Sequence, residues 1–126
     1  MEESASRDKR DVDISFFVPC LNEEKNVLGT LGVILAATAK AGVSYEILVV
    51  DDASQDATVA TVEAYQREHP EVPIVLIKNE INQGLGINYA RTAPVARGTY
   101  YMLVNGDNVE REEVVSALLE RLGEAD

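Results

Sequence analysis

The sequence of 126 residues contains one cysteine, one histidine and no tryptophan. A lone cysteine cannot form an intramolecular disulfide, so the fold depends on an apolar core, which a hydrophobic content of 46% can supply. The longest uncharged run, residues 26–39, is shorter than the roughly 18 or more apolar residues that a membrane-spanning helix needs. With no secretory signal at its start, the sequence predicts a cytoplasmic protein.

Positive charge is also scarce, because 11 Lys and Arg residues stand against 22 Asp and Glu residues, giving a formal net charge of −11. A surface of that sign repels nucleic acid and anionic membranes. We therefore expect no nucleic-acid partner, and any phosphate ligand would need a bound cation or a local basic patch.

Four short apolar runs, rich in β-branched and aromatic residues, predict buried strands: "DISFFVPC", "YEILVVDD", "PIVLIKN" and "TYYMLVNG". Stretches with helical spacing lie between them, around residues 27–35, 59–65 and 90–96, and a last helix is predicted to end at Gly123 as its C-cap. This alternation, βαβαβαβα, predicts an α/β fold: a Rossmann-like, mostly parallel sheet with helices on both faces.

The domain is expected to occupy residues 14–126, after a flexible lead-in over residues 1–13 that mixes both charges without periodicity. No closing strand or second layer follows the last predicted helix. We therefore expect the chain to be a piece of a longer protein.

Ligands of a parallel sheet bind outside the carboxyl ends of its strands, and here each predicted strand ends in a polar, acid-rich segment. After the first strand, Asn22 suits a helix N-cap and Glu23 suits the positive end of a helix dipole, so a structural role explains them equally well. After the second strand, capping needs only one acceptor and leaves the adjacent pair Asp51 and Asp52 unexplained. Two neighbouring carboxylates are tolerated where they accept hydrogen bonds from a ligand or lie near a cation, which favours a functional role.

The third strand leads into "NQGLG", where Gly84 and Gly86 predict either a turn or a close approach of the backbone to a ligand. The segment is not a dinucleotide-binding fingerprint, because Tyr89 takes the place of the third glycine. It also lacks the Lys-Ser/Thr of a P-loop.

The fourth strand ends in "NGDN", and Asn-Gly alone would be explained by a turn. However, the Asn105 amide and the Asp107 carboxylate offer the oxygen donors that Mg²⁺ or Mn²⁺ requires when phosphate and water complete the shell. A divalent cation would also allow an acidic rim to hold a diphosphate. Cys20, with no histidine near it in sequence, is predicted to serve packing.

Taken in order, "FFVPCLNEEKNV", "YEILVVDDASQDAT", "NQGLGINYARTAPVARGTYY" and "NGDN" resemble the N-terminal half of a family 2 glycosyltransferase of the GT-A fold, as in dolichyl-phosphate mannose synthase-like members. The resemblance covers nearly the whole chain after Asp13, and four ordered motifs are more specific than any one of them. It implies transfer of a sugar from a nucleotide diphosphate donor, UDP- or GDP-linked, to an acceptor, usually with inversion.

The resemblance also implies which residues form the donor site. In the nucleoside pocket it places Pro19, Leu21, Asn22 and Glu23. Beside the base and ribose it places Val50 and Asp52, with Asp52 accepting a hydrogen bond from the base, Asp51 supporting the same loop and Gly84 bringing a further loop to the nucleotide. In the family's D-x-D position it places Asn105, Gly106 and Asp107, the last acid being the ligand of Mg²⁺ or Mn²⁺.

One departure from the family concerns Asn105, which stands where the family has the first Asp of D-x-D, so metal affinity should fall. The family's acceptor half and its catalytic base would lie beyond residue 126, so we expect this chain alone to be inactive. The implied acceptor is a polyprenyl phosphate or a glycan, with the whole protein membrane-associated on the cytoplasmic side.

Two further expectations follow from the same comparison. An apolar sheet face that the missing half would cover predicts association between copies of the chain.

The alternative function is a non-catalytic module that binds a nucleotide or nucleotide sugar, whereas a dehydrogenase is disfavoured by the missing fingerprint.

Overall fold

The computed structural model of the protein describes residues 11–107 and 112–125. The strands are β1 (Val12–Cys20), β2 (Tyr45–Asp52), β3 (Ile74–Asn79) and β4 (Gly98–Leu103). The helices are α1 (Val27–Ala41), α2 (Thr58–Glu68), α3 (Leu85–Thr92) and α4 (Glu112–Ala125), with a 3₁₀ turn at Ala93–Val95.

The described strands form one parallel sheet in the order β3-β2-β1-β4. β1 is central, and its Phe17 pairs in register with Leu48 of β2 and Leu103 of β4. The predicted α/β, Rossmann-like parallel arrangement is therefore confirmed. Because the chain leaves β1 for β2 on one side and reaches β4 on the other, a crevice opens at the carboxyl end of β1.

Both faces of the sheet carry helices, as predicted. On one face, Phe16 and Val18 of β1 lie in a buried cluster with Leu31 of α1 and Val115 of α4. On the other face, the ring of Phe17 packs edge-on against Tyr89 of α3, with ring centroids 5.4 Å apart. Each fully buried apolar side chain of this size stabilises the fold by about 1.5–3 kcal/mol.

Three predicted boundaries were wrong. Helix α3 begins at Leu85, before the predicted span at 90–96, and ends at Thr92 within that span, because Pro94 has no N–H to continue an α-helix and lies in the 3₁₀ turn. Helix α4 runs through Gly123 to Ala125, since a glycine within a helix costs only about 1 kcal/mol. β1 begins at Val12, inside the predicted lead-in, most of which lies outside the described residues.

The amino-terminal end of the sheet is fastened by the Glu46 carboxylate, a buried acid of β2. Its Oε2 accepts hydrogen bonds from Ser15 Oγ and from the Arg97 backbone N–H, both at 2.6 Å. The Arg97 Nε atom donates to Oε1 at 3.2 Å, and the Gly98 N–H donates to Ser15 Oγ at 2.8 Å. The start of β4 is thus tied to both central strands at the end of the sheet opposite the crevice.

Within the described ranges, every helix is too short or too polar to cross a membrane.

Candidate functional site

A cavity of about 260 Å³ lies at the carboxyl ends of the strands. Its lining comes from the ends of β1 and β2, from the loops after β1, β3 and β4, and from the first turn of α3. The lining residues are Pro19, Cys20, Leu21, Glu23, Asp52, Asn82, Gly84, Leu85, Asn88 and Asn105. Segments that are far apart in sequence therefore meet at one pocket.

Most of the residues that the sequence singled out lie at this cavity. Those that line it are Pro19, Leu21, Glu23, Asp52, Gly84 and Asn105. Val50 is instead buried within β2, and Asn22, Asp51 and Gly106 hold the surrounding loops. The roles assigned to all of them by family resemblance stay predictions.

The sequence did not single out Asn82, Leu85 and Asn88 as site residues. Asn82 and Leu85 flank Gly84, so their position in the same loop could have identified them. Asn88 had no such signal, because its approach to the cavity depends on how α3 packs on the sheet.

Asn22 forms hydrogen bonds to the loop after β2 instead of capping α1. Its backbone is left-handed, with φ 57°, a conformation that asparagine tolerates better than most residues. Its N–H donates to Ser54 Oγ at 2.8 Å, and its Oδ1 accepts from the Gln55 N–H at 2.8 Å. The N-cap position of α1 belongs to Asn26, so the suggested capping role of Asn22 was wrong.

The same two loops exchange further bonds at the start of α2, where free backbone N–H groups need acceptors. The Glu24 carboxylate accepts from the Ala57 N–H at 2.7 Å, and the Glu24 N–H donates to Asp56 Oδ2 at 3.2 Å. The Glu23 N–H donates to Thr58 Oγ1 at 2.8 Å. The carboxylates of Glu24 and Asp56 are therefore each held by a backbone N–H of the neighbouring loop.

The adjacent carboxylates Asp51 and Asp52 serve different loops. Asp51 closes the turn after β2, accepting from Ser54 Oγ at 2.6 Å and from the Ser54 N–H at 3.0 Å. Asp52 accepts from the Gln83 and Gly84 N–H groups at 2.8 and 2.9 Å and from Asn79 Nδ2 at 2.9 Å. Gly84 has φ 91°, a conformation that favours glycine, so this loop depends on a residue without a Cβ.

These bonds determine how Asp52 ionises. Burial by itself would raise the pKa of the Asp52 carboxyl, but hydrogen bonds from Asn79, Gln83, Gly84 and Asn88 stabilise the carboxylate and bring the pKa below the ordinary 3.8. Asp52 is therefore charged at neutral pH.

Replacing Asp52 by asparagine is expected to destabilise the chain at neutral pH but progressively less in acid. A pKa that is lower in the folded state contributes stability that is fully present above the ordinary value of 3.8 and is lost as pH falls through the folded pKa. Urea unfolding of the native chain and Asp52→Asn between about pH 7 and about pH 3 measures this difference. A difference that stays constant over that range would contradict the assignment.

The turn after β4 approaches the end of β1 closely. The Gly106 N–H donates to the Pro19 carbonyl at 3.2 Å, and Thr30 Oγ1 donates to the Asn105 carbonyl at 3.2 Å. A Cβ on Gly106 would lie 2.6 Å from Cys20 Sγ, so only glycine fits there. Asn105 consequently lies at the cavity wall, followed by the exposed Asp107; Asn108 lies outside the described residues.

The residues present can take part in holding a divalent metal but do not enclose one. Among the side chains that the structure describes, no group of three His, Cys, Asp or Glu residues is placed to bind a metal ion. The Asn105 amide and the Asp107 carboxylate are oxygen donors suited to Mg²⁺ or Mn²⁺. Such a pair fits a metal whose remaining ligands are phosphate oxygens and water.

Cys20 is a packing residue, as predicted. Its side chain is buried, and that burial, together with the carboxylates of Asp51, Glu23 and Asp56, raises the pKa of the thiol to about 12. A thiol that stays protonated at neutral pH is a poor nucleophile.

Comparison with known proteins agrees with this architecture. A dolichyl-phosphate beta-glucosyltransferase of Dictyostelium discoideum is 38% identical over 51% of this chain and 20% of its own length. The succinoglycan biosynthesis protein ExoO of Rhizobium meliloti is 33% identical over 86% of this chain and 29% of its own length. The chain thus spans less than a third of either relative.

Solved structures show the same fold. The mannosyltransferase PcManGT from Pyrobaculum calidifontis, in complex with GDP-Man and Mn²⁺, superposes with a TM-score of 0.72 at 22% identity, covering 86% of this chain and 32% of that protein. S. aureus TarS 1-349 in complex with UDP gives a TM-score of 0.69 at 26% identity, covering 89% and 32%. The sequence also matches the family described as Glycosyl transferase family 2 over residues 15–126, and the chain therefore belongs to that family.

Proposed function

We propose that the chain is the donor-binding part of a glycosyltransferase and binds a nucleotide diphosphate sugar, UDP- or GDP-linked, in the cavity at the carboxyl ends of the strands. The observation that carries the proposal is the meeting of distant polar strand ends, Glu23, Asp52, Gly84 and Asn105, at one pocket. The structural relatives support it, since one is in complex with GDP-Man and Mn²⁺ and another with UDP.

On the nucleoside side, Pro19 and Leu21 offer apolar surface at the cavity, and Leu21 remains 45% exposed, available to a ligand. A carboxylate has about four acceptor positions, and the hydrogen bonds described above from Asn79, Gln83, Gly84 and Asn88 take up those on Asp52. In the proposed complex a base N–H would therefore share an Asp52 oxygen with one of these donors or replace it.

On the diphosphate side, Asp107 and Asn105 would hold Mg²⁺ or Mn²⁺, which when bound neutralises negative charge on the phosphates. The chain's own contribution is to fix this turn: the Gly106 N–H bond to the Pro19 carbonyl keeps Asn105 at the cavity wall. A cation bound there would also offset the repulsion between the phosphates and a chain with a net charge of −11.

Transfer of the sugar with inversion requires a general base that removes the proton of the attacking hydroxyl. We propose that this base and the acceptor site lie in a part of the protein beyond residue 126, so that the present chain binds the donor but is inactive alone. The acceptor is a polyprenyl phosphate, by analogy with the dolichyl-phosphate relative, or a glycan. A cytoplasmic location, membrane association of the whole protein and association between copies stay predictions.

Asn105 favours one alternative, a module that binds the nucleotide sugar without catalysis. An amide in place of a carboxylate removes one negative charge from the metal side of the cavity. The alternative predicts nucleotide binding that does not depend on Mn²⁺.

The proposal is tested by calorimetric titration of UDP and GDP into the chain with and without Mn²⁺. We expect one nucleotide to bind in a metal-dependent way and Asp107→Ala to weaken that binding by about 10-fold or more, because the carboxylate proposed to bind the metal is lost. Glu63→Ala, which removes an exposed acid of α2 paired with Lys78, is the control and should leave the affinity unchanged. Binding of neither nucleotide by a folded chain would contradict the proposal.

Asn105→Asp provides the converse test. Restoring a second carboxylate should raise the affinity for Mn²⁺ in the presence of nucleotide by about 10-fold, because ligand charge strengthens the binding of hard cations. Titrating Mn²⁺ and following its electron paramagnetic resonance signal measures free and bound metal. An unchanged affinity would show that residue 105 is not a metal ligand.

A further inference from the structure

Two asparagine side chains connect the nucleotide cavity to the structure behind it. Asn79 ends β3, and its Nδ2 donates both to Asp52 Oδ1, at 2.9 Å, and to Asn88 Oδ1, at 2.8 Å. Asn88 lies on α3 and is 4% exposed, yet it also lines the cavity. The two amides therefore link the ends of β2 and β3 to helix α3.

The hydrogen bond from Asn79 determines the orientation of the Asn88 side-chain amide. A side-chain amide has one acceptor oxygen and one donor nitrogen, and the oxygen of Asn88 is taken by Asn79. The amide nitrogen of Asn88 is therefore available to donate to Asp52, and a hydrogen bond from Asn88 is among those that stabilise the Asp52 carboxylate. Asp52 is consequently restrained by both asparagines.

Asp52 in turn holds the wall of the cavity. Its two oxygens accept the backbone N–H groups of Gln83 and Gly84, at 2.8 and 2.9 Å. This loop joins β3 to α3, and its Gly84 carbonyl accepts the first helical hydrogen bond, from the Asn88 N–H at 3.1 Å. Asn88 thus contacts the loop through its backbone N–H. Its side chain restrains the Asp52 carboxylate, which in turn fixes that loop.

We propose that Asn88 is a positioning residue of the donor site: with Asn79 it orients Asp52 and so fixes the 82–84 loop before the ligand arrives. The ligand named here, a nucleoside diphosphate, rests on the proposed function. A loop ordered in advance binds more tightly because less conformational entropy is lost on association. Asn88 acts through Asp52 and the loop, without a step in the chemistry itself.

The experiment compares Asn88→Ala and Asn79→Ala with Gln66→Ala as the matched control. Gln66 also donates one side-chain amide bond, to the Ile74 carbonyl at 3.0 Å, but does so from α2, away from the cavity. Two quantities are measured on the 126-residue chain: the proton shifts and hydrogen exchange of the Gln83 and Gly84 amides by NMR, and the calorimetric Kd for UDP and GDP with Mn²⁺.

We expect both asparagine variants to shift the two amide signals and speed their exchange, and to weaken nucleotide binding by about 3- to 10-fold. The double variant should lose less than the sum of the single losses, because both residues act through one carboxylate. Gln66→Ala should lower stability by a similar amount while leaving the amide signals and the Kd unchanged, which separates positioning from general stability.

The outcomes distinguish this inference from the proposed function. If the native chain binds nucleotide and Asn88→Ala binds equally well, the inference is overturned and the donor site stands. If the native chain binds neither nucleotide, the proposed function fails, and the amide signals alone decide the positioning role. Whether or not the native chain binds nucleotide, the positioning role is overturned if the Gln83 and Gly84 amide signals are unchanged in Asn88→Ala. It is also overturned if these signals change equally in Gln66→Ala.

Discussion

Replacing Glu46 by alanine is expected to lower the free energy of unfolding by about 2–4 kcal/mol. The Glu46 carboxylate is the acceptor for Ser15 Oγ and for the Arg97 N–H, both at 2.6 Å, and its side chain is 3% exposed. Without it, these donors lose their partner inside the protein, and each unsatisfied buried donor costs about 1–3 kcal/mol. Urea unfolding followed by circular dichroism measures the loss.

The control is Glu63→Ala, which removes an acid of similar size from an exposed ion pair. Glu63 Oε2 lies 3.1 Å from Lys78 Nζ, and the two side chains are 41% and 56% exposed, so the loss should stay below about 1 kcal/mol. The loss of stability in Glu46→Gln should fall between the losses of these two alanine variants. The glutamine amide keeps one acceptor oxygen, but its NH₂ group faces the donors of Ser15 or Arg97. Equal stability of the Glu46→Ala and Glu63→Ala variants would show that the buried network does not fasten β4.

Replacing Gly106 by alanine is expected to weaken nucleotide binding by more than about 10-fold and to destabilise the fold by about 1–3 kcal/mol. The new Cβ would lie 2.6 Å from Cys20 Sγ and 2.8 Å from the Pro19 carbonyl oxygen, closer than atoms can pack. The turn after β4 must then move away from β1, and Asn105 moves with it. Calorimetry with UDP or GDP and Mn²⁺, together with urea unfolding, measures both effects.

Gly32→Ala is the matched control for the same chemical change. No atom lies within 4 Å of a Cβ built on Gly32, which is part of α1, so alanine should stabilise the helix by about 1 kcal/mol and leave binding unchanged. Adding Cys20→Ala to Gly106→Ala should restore only part of the affinity, because the clash with the Pro19 carbonyl remains. Native affinity and stability in Gly106→Ala would rule out the close approach.

Much of the fold followed from local sequence. The apolar runs predicted β1 and β2 because a strand buried on both faces of a parallel sheet needs a continuous run of large apolar side chains. The runs of β3 and β4 also form strands, but their predicted burial was wrong, because these strands lie at the two edges of the described sheet and are only partly buried. The third helix was misplaced for an equally local reason: the alanines around Pro94 suggested helical spacing, but proline limits α3 to the residues before it.

The place of the site was also predictable, because parallel strands bring their carboxyl ends to one edge whatever the loops between them do. That is why Glu23, Asp52, Gly84 and Asn105, taken from separate segments, all line the same cavity. Family resemblance added roles for these residues but no geometry.

The sequence by itself determined the order of the elements, the class of the sheet and the edge at which its polar residues gather. Only the tertiary structure decided which partner each polar group takes: Asn22 braces the loop after β2, Glu24 accepts a bond from the start of α2, and Asn88 is linked through Asn79 to Asp52. The physical reason is that element type depends on neighbours along the chain, whereas a side-chain hydrogen bond needs donor and acceptor within about 3 Å, a proximity that only packing creates.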